Sequence, residues 1–122
     1  MVDEALAGEL GRTWLDGWNG EDVEQIMSSF ADDVVFSSPF VARVTGGDTK
    51  IEGAAALRAY VADALVRAPG IRYTLDATYV GTDSVVLAYT CRYPDPGRPP
   101  KSGADSMRVD ADGRVVEWRC HY

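Results

Sequence analysis

The spacing of apolar residues changes once along the chain, and this change constrains the fold more than any other feature. Before Pro69-Gly70, apolar residues recur at helical intervals, the clearest series being Val2, Leu6, Leu10, Trp14 and Trp18. After this point, residues 71–79 alternate between apolar and polar side chains, which is the period of a β-strand. Helices followed by consecutive strands predict an α+β fold, with the helices packed on one face of a curved sheet.

The first half of the sequence predicts three helices and one short strand. The first helix begins at the N-cap residue Asp3 and ends before Asn19-Gly20. The second has an apolar face made of Val23, Ile26, Met27 and Phe30, and the third covers residues 53–67. Residues 34–37 are predicted to form a strand, and residues 39–52 a loop, because they lack helical spacing.

Four further strands are predicted in the second half, at residues 71–79, 84–93, 102–109 and 114–122. Segment 94–100 contains four prolines, cannot pair in a sheet and is predicted to be a stiff connection. Residues 110–113 join the last two strands as a hairpin. No repeat or linker interrupts this pattern, so residues 1–122 are expected to form a single domain.

Composition excludes several classes of function. The 19 acidic residues outnumber the 12 basic ones and give a net charge of -7, which disfavours nucleic acid as a partner. No apolar run is long enough to cross a membrane, and the N-terminus lacks the pattern of a signal peptide, so we expect a cytoplasmic protein. Two cysteines and one histidine are too few for most metal sites, so neither a metal nor another cofactor is expected.

Asp105 is the acidic residue that the strand pattern places on an apolar face. Side chains alternate along a strand, so Asp105 points to the same side as Met107 and Val109. The hairpin sets it opposite Trp118 or Cys120, depending on the turn. A carboxylate in these surroundings loses hydration and its pKa rises, which suits acid–base chemistry near neutral pH. The alternative is a structural acid that is bonded to a backbone amide or to an arginine.

Several segments in a fixed order resemble the nuclear transport factor 2-like superfamily over nearly the whole chain. They are Trp14–Asn19, Phe30–Val34, Ser38-Pro39, Ile51–Gly53, and residues 105–108 with 113–116. This cystatin-like superfamily includes SnoaL-like polyketide cyclases and ketosteroid isomerases. The resemblance implies a cone-shaped α+β barrel, in which a curved, mostly antiparallel sheet wraps around three N-terminal helices.

Comparison with the ketosteroid isomerases implies that Asp105 matches their neutral carboxylic acid, which donates a hydrogen bond to the developing oxyanion. Their general base, an aspartate before a proline, is replaced here by Ser38, which has no partner base. Their oxyanion-hole tyrosine falls on Trp14, and two supporting tyrosines fall on Phe30 and Val61. Ketosteroid isomerase activity is therefore not expected.

SnoaL-like cyclases, by the same resemblance, use one aspartate near the position of Asp105 as acid and base to form an enolate without a metal. Their partner histidine has no counterpart, because alternation makes His121 face away from the pocket, together with Val115, Glu117 and Arg119. The superfamily often forms homodimers through this outer side, so Arg108 and Arg119 are assigned to a homodimer interface.

The predicted site consists of Asp105 as the catalytic acid and base and an apolar wall around a small hydrophobic molecule. The predicted ligand-contacting residues are Trp14, Trp18, Phe30, Ser38, Phe40, Tyr60, Val61, Met107, Trp118 and Tyr122. For most of the aromatic residues among them, core packing is the alternative. Cys91 and Cys120 are predicted to be buried free thiols.

Two function classes follow from these observations. The first is a cofactor-independent isomerase or cyclase that acts on a proton next to a carbonyl group in a hydrophobic compound. The second is a non-catalytic domain of the same fold that binds a ligand or forms homodimers. The absence of the isomerase base and tyrosines favours the second class, and the carboxylate on an apolar face favours the first.

Overall fold

The computed structural model describes residues 2–121, apart from the side chains of residues 44 and 45. The described chain forms helices and strands in the order Glu4–Asn19 (α1), Val23–Met27 (α2), Phe30–Ser37 (β1), Val41–Thr45 (α3), Lys50–Glu52 (β2), Ala54–Arg67 (α4), Arg72–Val80 (β3), Ser84–Arg92 (β4), Lys101–Val109 (β5) and Val115–His121 (β6). This order confirms the predicted α+β class.

The six strands form one curved sheet in the order β2-β1-β6-β5-β4-β3. Every neighbouring pair is antiparallel except β1 and β6, which run parallel. The β5–β6 register places Asp105 opposite Cys120, one of the two partners that the hairpin allowed. The long antiparallel strands β3 to β6 therefore bring residues far apart in sequence onto one shared inner face.

Helix α1 is fixed at both ends by short polar contacts. The carboxylate of Asp3 accepts a hydrogen bond from the backbone N–H of Leu6 at 2.8 Å, which is the predicted N-cap. At the other end, the Asn19 side chain exchanges two hydrogen bonds with the backbone of Tyr73, at 2.7 and 3.0 Å. These bonds join the end of α1 to strand β3 and set the position of the tryptophans on the last turns of the helix.

The region between α2 and α4 differs from the sequence prediction. Phe30 was expected in the second helix, but it begins β1 because it pairs with Val115 of β6. The predicted loop at residues 39–52 contains the short helix α3 and the edge strand β2. Pairing between strands overrides local spacing at Phe30 and in β2. In β2, pairing with β1 satisfies backbone groups that a loop would leave to solvent.

Val115 is a second correction, because it is fully buried although alternation predicted that it faces outward. The β5–β6 register shifts between Arg108 and Val109, so that Val109 pairs with Val115 and Val116 is left as the additional residue. Such a bulge reverses the facing of residues on one side of it. Glu117, Arg119 and His121 lie beyond the bulge and keep their predicted orientation, with Arg119 and His121 exposed.

The core lies between the inner face of the sheet and the helices α1, α2 and α4. The largest fully buried side chain of the core is Trp118. Helix α4 contributes Leu57 and Val61 to the same core. In the described part of the chain, no helix is both long enough and apolar enough to cross a membrane. The helices leave part of the inner face uncovered, and the candidate site lies there.

Candidate functional site

Asp105 lies at the centre of the inner face and is bound by side chains from three elements. The Nε1–H groups of Trp14 on α1 and Trp118 on β6 both donate to its Oδ2 at 3.0 Å. The hydroxyl of Tyr89 on β4 donates to Oδ1, also at 3.0 Å. The thiol of Cys120 is a further hydrogen-bond partner. Only 2% of Asp105 is exposed, so these protein donors replace nearly all of its hydration.

The two carboxylate oxygens of Asp105 have different capacities to hold a proton. An indole N–H donates and cannot accept, so Oδ2 must be unprotonated to bind both Trp14 and Trp118. A phenol can donate or accept, so a proton on Oδ1 could be donated to the Tyr89 oxygen after that hydroxyl rotates. The geometry therefore leaves Oδ1 as the oxygen on which a proton is compatible with these hydrogen bonds.

Burial raises the pKa of Asp105 above its ordinary value. The hydrogen bonds from Trp118, Cys120, Tyr89 and Trp14 oppose this rise, because each stabilises the carboxylate. Removal from water is the larger effect. A raised pKa moves the group toward the range in which it can exchange a proton near neutral pH.

A cavity of about 440 Å³ opens beside Asp105. This volume lies within the range of roughly 300–1,000 Å³ that is usual for small-molecule sites. Trp14 and Trp18 form one wall, Tyr60 and Val61 of α4 form another, and the side chains of β4 to β6 form the floor. The rings pack against one another, with centroids 4.8 Å apart for Trp14 and Tyr89.

Seven of the predicted site residues line this cavity, and three do not. The seven are Trp14, Trp18, Phe40, Tyr60, Val61, Asp105 and Trp118. Phe30 and Met107 instead pack in the core on the far side of Trp14 and Trp118, next to Leu10 and Ile26. Ser38 is buried in a turn, where its hydroxyl accepts a hydrogen bond from the backbone N–H of Phe40 at 3.2 Å. Tyr122 lies outside the described residues.

Several cavity residues were not predicted from the sequence. Tyr89 and Cys91 share a face of β4 with Val85 and Leu87, so strand alternation was the signal that could have found them. Tyr73 also lines the cavity, and the alternation of apolar and polar residues along β3 could have found it in the same way. Arg43 and Arg98 also line the cavity. The proline-rich pattern around Arg98 left open whether that loop covers the pocket or supports a dimer, and no sequence pattern marks Arg43.

The chemistry of the other titratable groups near the cavity is limited. Cys91 and Cys120 are free cysteines, with Cys91 half-buried and Cys120 buried. Burial raises the pKa of Cys91 to about 11, so its thiol is protonated at neutral pH and is a weak nucleophile. Burial also raises the pKa of Tyr60 and of Tyr73. Within residues 2–121, no cluster of histidine, cysteine and acidic side chains could hold a metal ion.

The SnoaL-like domain family matches this sequence over residues 12–118. The chain belongs to this family. The matched region contains Asp105 and three of its hydrogen-bond partners, Trp14, Tyr89 and Trp118. No curated protein matches the sequence significantly.

Solved structures with the same fold extend the comparison. A SnoaL-like protein of unknown function from Burkholderia thailandensis is 30% identical, with a TM-score of 0.87, and the match covers 100% of this chain and 98% of that one. A protein of unknown function with a cystatin-like fold from Methylobium petroleophilum is 25% identical, with a TM-score of 0.77, covering 99% and 78%. A SnoaL-like protein from Agrobacterium tumefaciens, described as a candidate isomerase, is 20% identical, with a TM-score of 0.75, covering 95% and 96%.

Proposed function

We propose that this SnoaL-like protein binds a small hydrophobic carbonyl compound and catalyses a cofactor-independent isomerisation or cyclisation with Asp105 as the acid and base. The observation that carries this proposal is a nearly fully buried carboxylate in the wall of an aromatic cavity. In the first step, the ionised Asp105 removes a proton from the carbon next to the carbonyl group, and an enolate forms. In the second step of an isomerisation, the protonated Asp105 returns that proton to a different carbon. In a cyclisation, the enolate carbon first bonds to a second carbonyl carbon of the same molecule, and Asp105 then gives the proton to the resulting alkoxide oxygen.

The arrangement of donors around Asp105 supports this role. Oδ2 is fixed by two indole N–H groups, so Oδ1 is left as the oxygen that takes and returns the proton. The Nε1–H of Trp18, in another part of the wall, is buried without an acceptor among the described residues. A buried donor without a partner costs free energy, so an acceptor brought by a ligand, such as a carbonyl oxygen, would stabilise the complex.

Deuterium exchange into 2-tetralone in D2O, followed by ¹H NMR, tests the proton transfer. We expect the wild-type protein to accelerate exchange next to the carbonyl group, and Asp105→Asn to reduce this acceleration by roughly 100-fold or more. An asparagine has the same shape and can still accept from the indoles, so the variant should fold. Asp76→Asn, which removes an exposed acid on β3, is the matched control and should exchange as fast as wild type.

Wild-type levels of exchange in Asp105→Asn would show that Asp105 is not the base. The absence of acceleration in the wild type would contradict catalysis on this probe. Calorimetry with 2-tetralone then separates the remaining cases, because binding without exchange supports a non-catalytic ligand-binding domain.

That second function has a specific observation in its favour. Side chains of α1, β4 and β6 all donate to the Asp105 carboxylate, so this carboxylate also fixes the three elements around the cavity. In this role Asp105 maintains the shape of a binding cavity, and Asp105→Asn would alter ligand affinity with no reaction to lose. Homodimerisation through Arg108 and Arg119 on the outer face remains part of the proposal, and sedimentation velocity would test it.

A further inference from the structure

The entrance of the cavity is rich in positive charge, although the chain has a net charge of -7. Among the described residues, those that line the cavity and are also exposed mark the entrance. They include Arg43, Arg98 and Arg67, the last of which pairs with Asp63, and a single acid, Glu21. Lys101 lies close by, with its Nζ 5.9 Å from the centroid of the Phe40 ring. The local charge at the entrance is therefore opposite in sign to that of the chain as a whole.

Arg43 and Arg98 lie against aromatic rings of the cavity, and neither has an acidic partner in the described part of the chain. The Cζ of Arg98 is 3.6 Å from the centroid of Tyr93, and that of Arg43 is 4.9 Å from the centroid of Phe40. Within residues 2–121, neither guanidinium forms an ion pair, whereas Arg67 binds Asp63 at 2.8 Å. A guanidinium held on a ring face keeps its N–H edge available, which suits a carboxylate.

The backbone at Arg98 is restricted before any ligand arrives. Its N–H donates to the backbone oxygen of Asp95 at 3.1 Å, and the Asp95 carboxylate accepts from the N–H of Gly97 at 2.9 Å. Pro96 lies inside this turn and Pro99 follows it, and both limit the backbone angles. A fixed backbone lowers the entropy lost when the side chain is ordered by a ligand.

When Asp105 is ionised, the two ends of the cavity carry opposite charges. The thiol of Cys91 lies close enough to both ends to respond to their charges. Its pKa is raised by burial and by the charge of Asp105, and it is lowered by the charges of Lys101 and Arg98. A ligand with a negative group is therefore repelled from the inner end by an ionised Asp105 and attracted to the entrance. The aromatic wall between the two ends suits the apolar part of the same ligand.

We propose that the ligand is a ring-containing carboxylate, whose carboxylate group is bound by Arg43 and Arg98 at the entrance and whose ring extends toward Asp105. This inference rests on the proposed function, because it assumes that the cavity binds a small molecule. It adds the substrate class and the orientation, and it assigns a ligand-binding role to two arginines.

Isothermal titration calorimetry with 2-naphthoate and 2-naphthamide tests the charge preference, because the two probes share a ring and differ in charge. We expect 2-naphthoate to bind more tightly, by roughly fivefold or more. Arg43→Gln and Arg98→Gln should each remove most of this preference, because they weaken the binding of 2-naphthoate more than that of 2-naphthamide. Arg12→Gln, on the exposed side of α1, removes the same charge away from the cavity and should bind both probes as wild type does.

Equal affinities for the two probes in the wild type would overturn the carboxylate assignment while leaving the cavity as a binding site. If Arg12→Gln lost the preference for 2-naphthoate as strongly as Arg98→Gln does, the carboxylate assignment would also be overturned, because the overall charge would then explain the result. If neither probe binds, this inference is wrong, and the 2-tetralone experiment decides separately whether the proposed function fails with it.

Discussion

Two physical effects oppose each other at Asp105. Burial makes the charged form less stable, and four side-chain partners make it more stable. The pKa is raised, so the loss of water outweighs the hydrogen bonds. The pKa of Asp105 would fall below its ordinary value only if the hydrogen bonds outweighed the loss of water.

The raised pKa of Asp105 predicts a specific pH dependence of stability. The folded chain keeps this proton to a higher pH than the unfolded chain, in which the pKa has its ordinary value of 3.8. Between the two pKa values the folded state binds more protons, so the free energy of unfolding contributed by Asp105 falls as pH rises. The contribution is fully present below pH 3.8 and is lost as pH passes the folded pKa.

Urea unfolding of the wild type and of Asp105→Asn across a pH series measures this effect. The difference in unfolding free energy, wild type minus variant, should decrease from pH 3.8 upward and become constant above the folded pKa. The other carboxylates are the same in both proteins, so their contributions cancel. A difference that increases with pH would mean that the hydrogen bonds outweigh burial and that the pKa is lowered.

The sequence predicts which face Asp105 occupies but not which atoms bind it. Alternation along one strand is a local property, and it correctly places Asp105 on the inner face; the structure then decides that Cys120, and not Trp118, lies opposite. The donor from Trp14 is 91 positions away and depends on how α1 packs against the sheet. Helical spacing indicates that Trp14 is buried, but no local pattern fixes the rotation of an indole toward one carboxylate.

Strands β4 and β5 position the hydroxyl that binds Oδ1 of Asp105. Tyr89 pairs with Gly103 across these strands, two positions from the pair formed by Leu87 and Asp105. A Cβ atom on residue 103 would lie 2.8 Å from the Tyr89 hydroxyl oxygen and 2.9 Å from its ring. The absence of a side chain at Gly103 therefore leaves room for the phenol beside Asp105.

Gly103→Ala should consequently disturb both the fold and the site. We expect a loss of roughly 1–3 kcal/mol in the free energy of unfolding, because the Tyr89 ring must move within a packed core. The displaced hydroxyl no longer stabilises the carboxylate, so the pKa of Asp105 should rise further. Urea unfolding and ¹³C NMR of the aspartate carboxyl groups measure the two effects.

Gly8→Ala is the matched control for this substitution. Its new Cβ would meet only the mobile end of Arg12, at 3.2 Å, within helix α1. Alanine is favoured over glycine inside a helix by about 1 kcal/mol, so this variant should be more stable than the wild type. If both variants change stability in the same direction, close contact with Tyr89 is not what requires a glycine at position 103.

Helices and strands are predicted correctly where apolar residues are regularly spaced. The prediction fails where pairing between distant strands determines the structure. Helix α4 and the antiparallel strands appear close to their predicted bounds. Phe30 and Val115 do not behave as predicted, because the parallel β1–β6 pairing and the β6 bulge depend on contacts between distant segments. The same limit applies to Arg43 and Arg98, since only the assembled fold brings α3 and the proline-rich segment to one cavity.

The charge of the whole molecule provides an independent test of the entrance site. A protein with a net charge of -7 repels an anion at long range, and added salt reduces this repulsion. If net charge alone governed binding, the affinity for 2-naphthoate would increase with salt. If Arg43 and Arg98 bind the carboxylate directly, salt screens that attraction and the affinity decreases.

Calorimetric titrations between 10 and 500 mM sodium chloride distinguish an affinity that increases with salt from one that decreases. Over this range the screening length falls from about 30 Å to less than 10 Å. We expect wild-type affinity for 2-naphthoate to fall severalfold over this range, and affinity for 2-naphthamide to change little. In the double variant Arg43→Gln/Arg98→Gln, the local attraction is lost and the long-range repulsion remains, so the salt dependence should disappear or change sign. A wild-type affinity for 2-naphthoate that rises with salt would contradict the entrance site, because the net charge would then govern how the anion approaches the cavity.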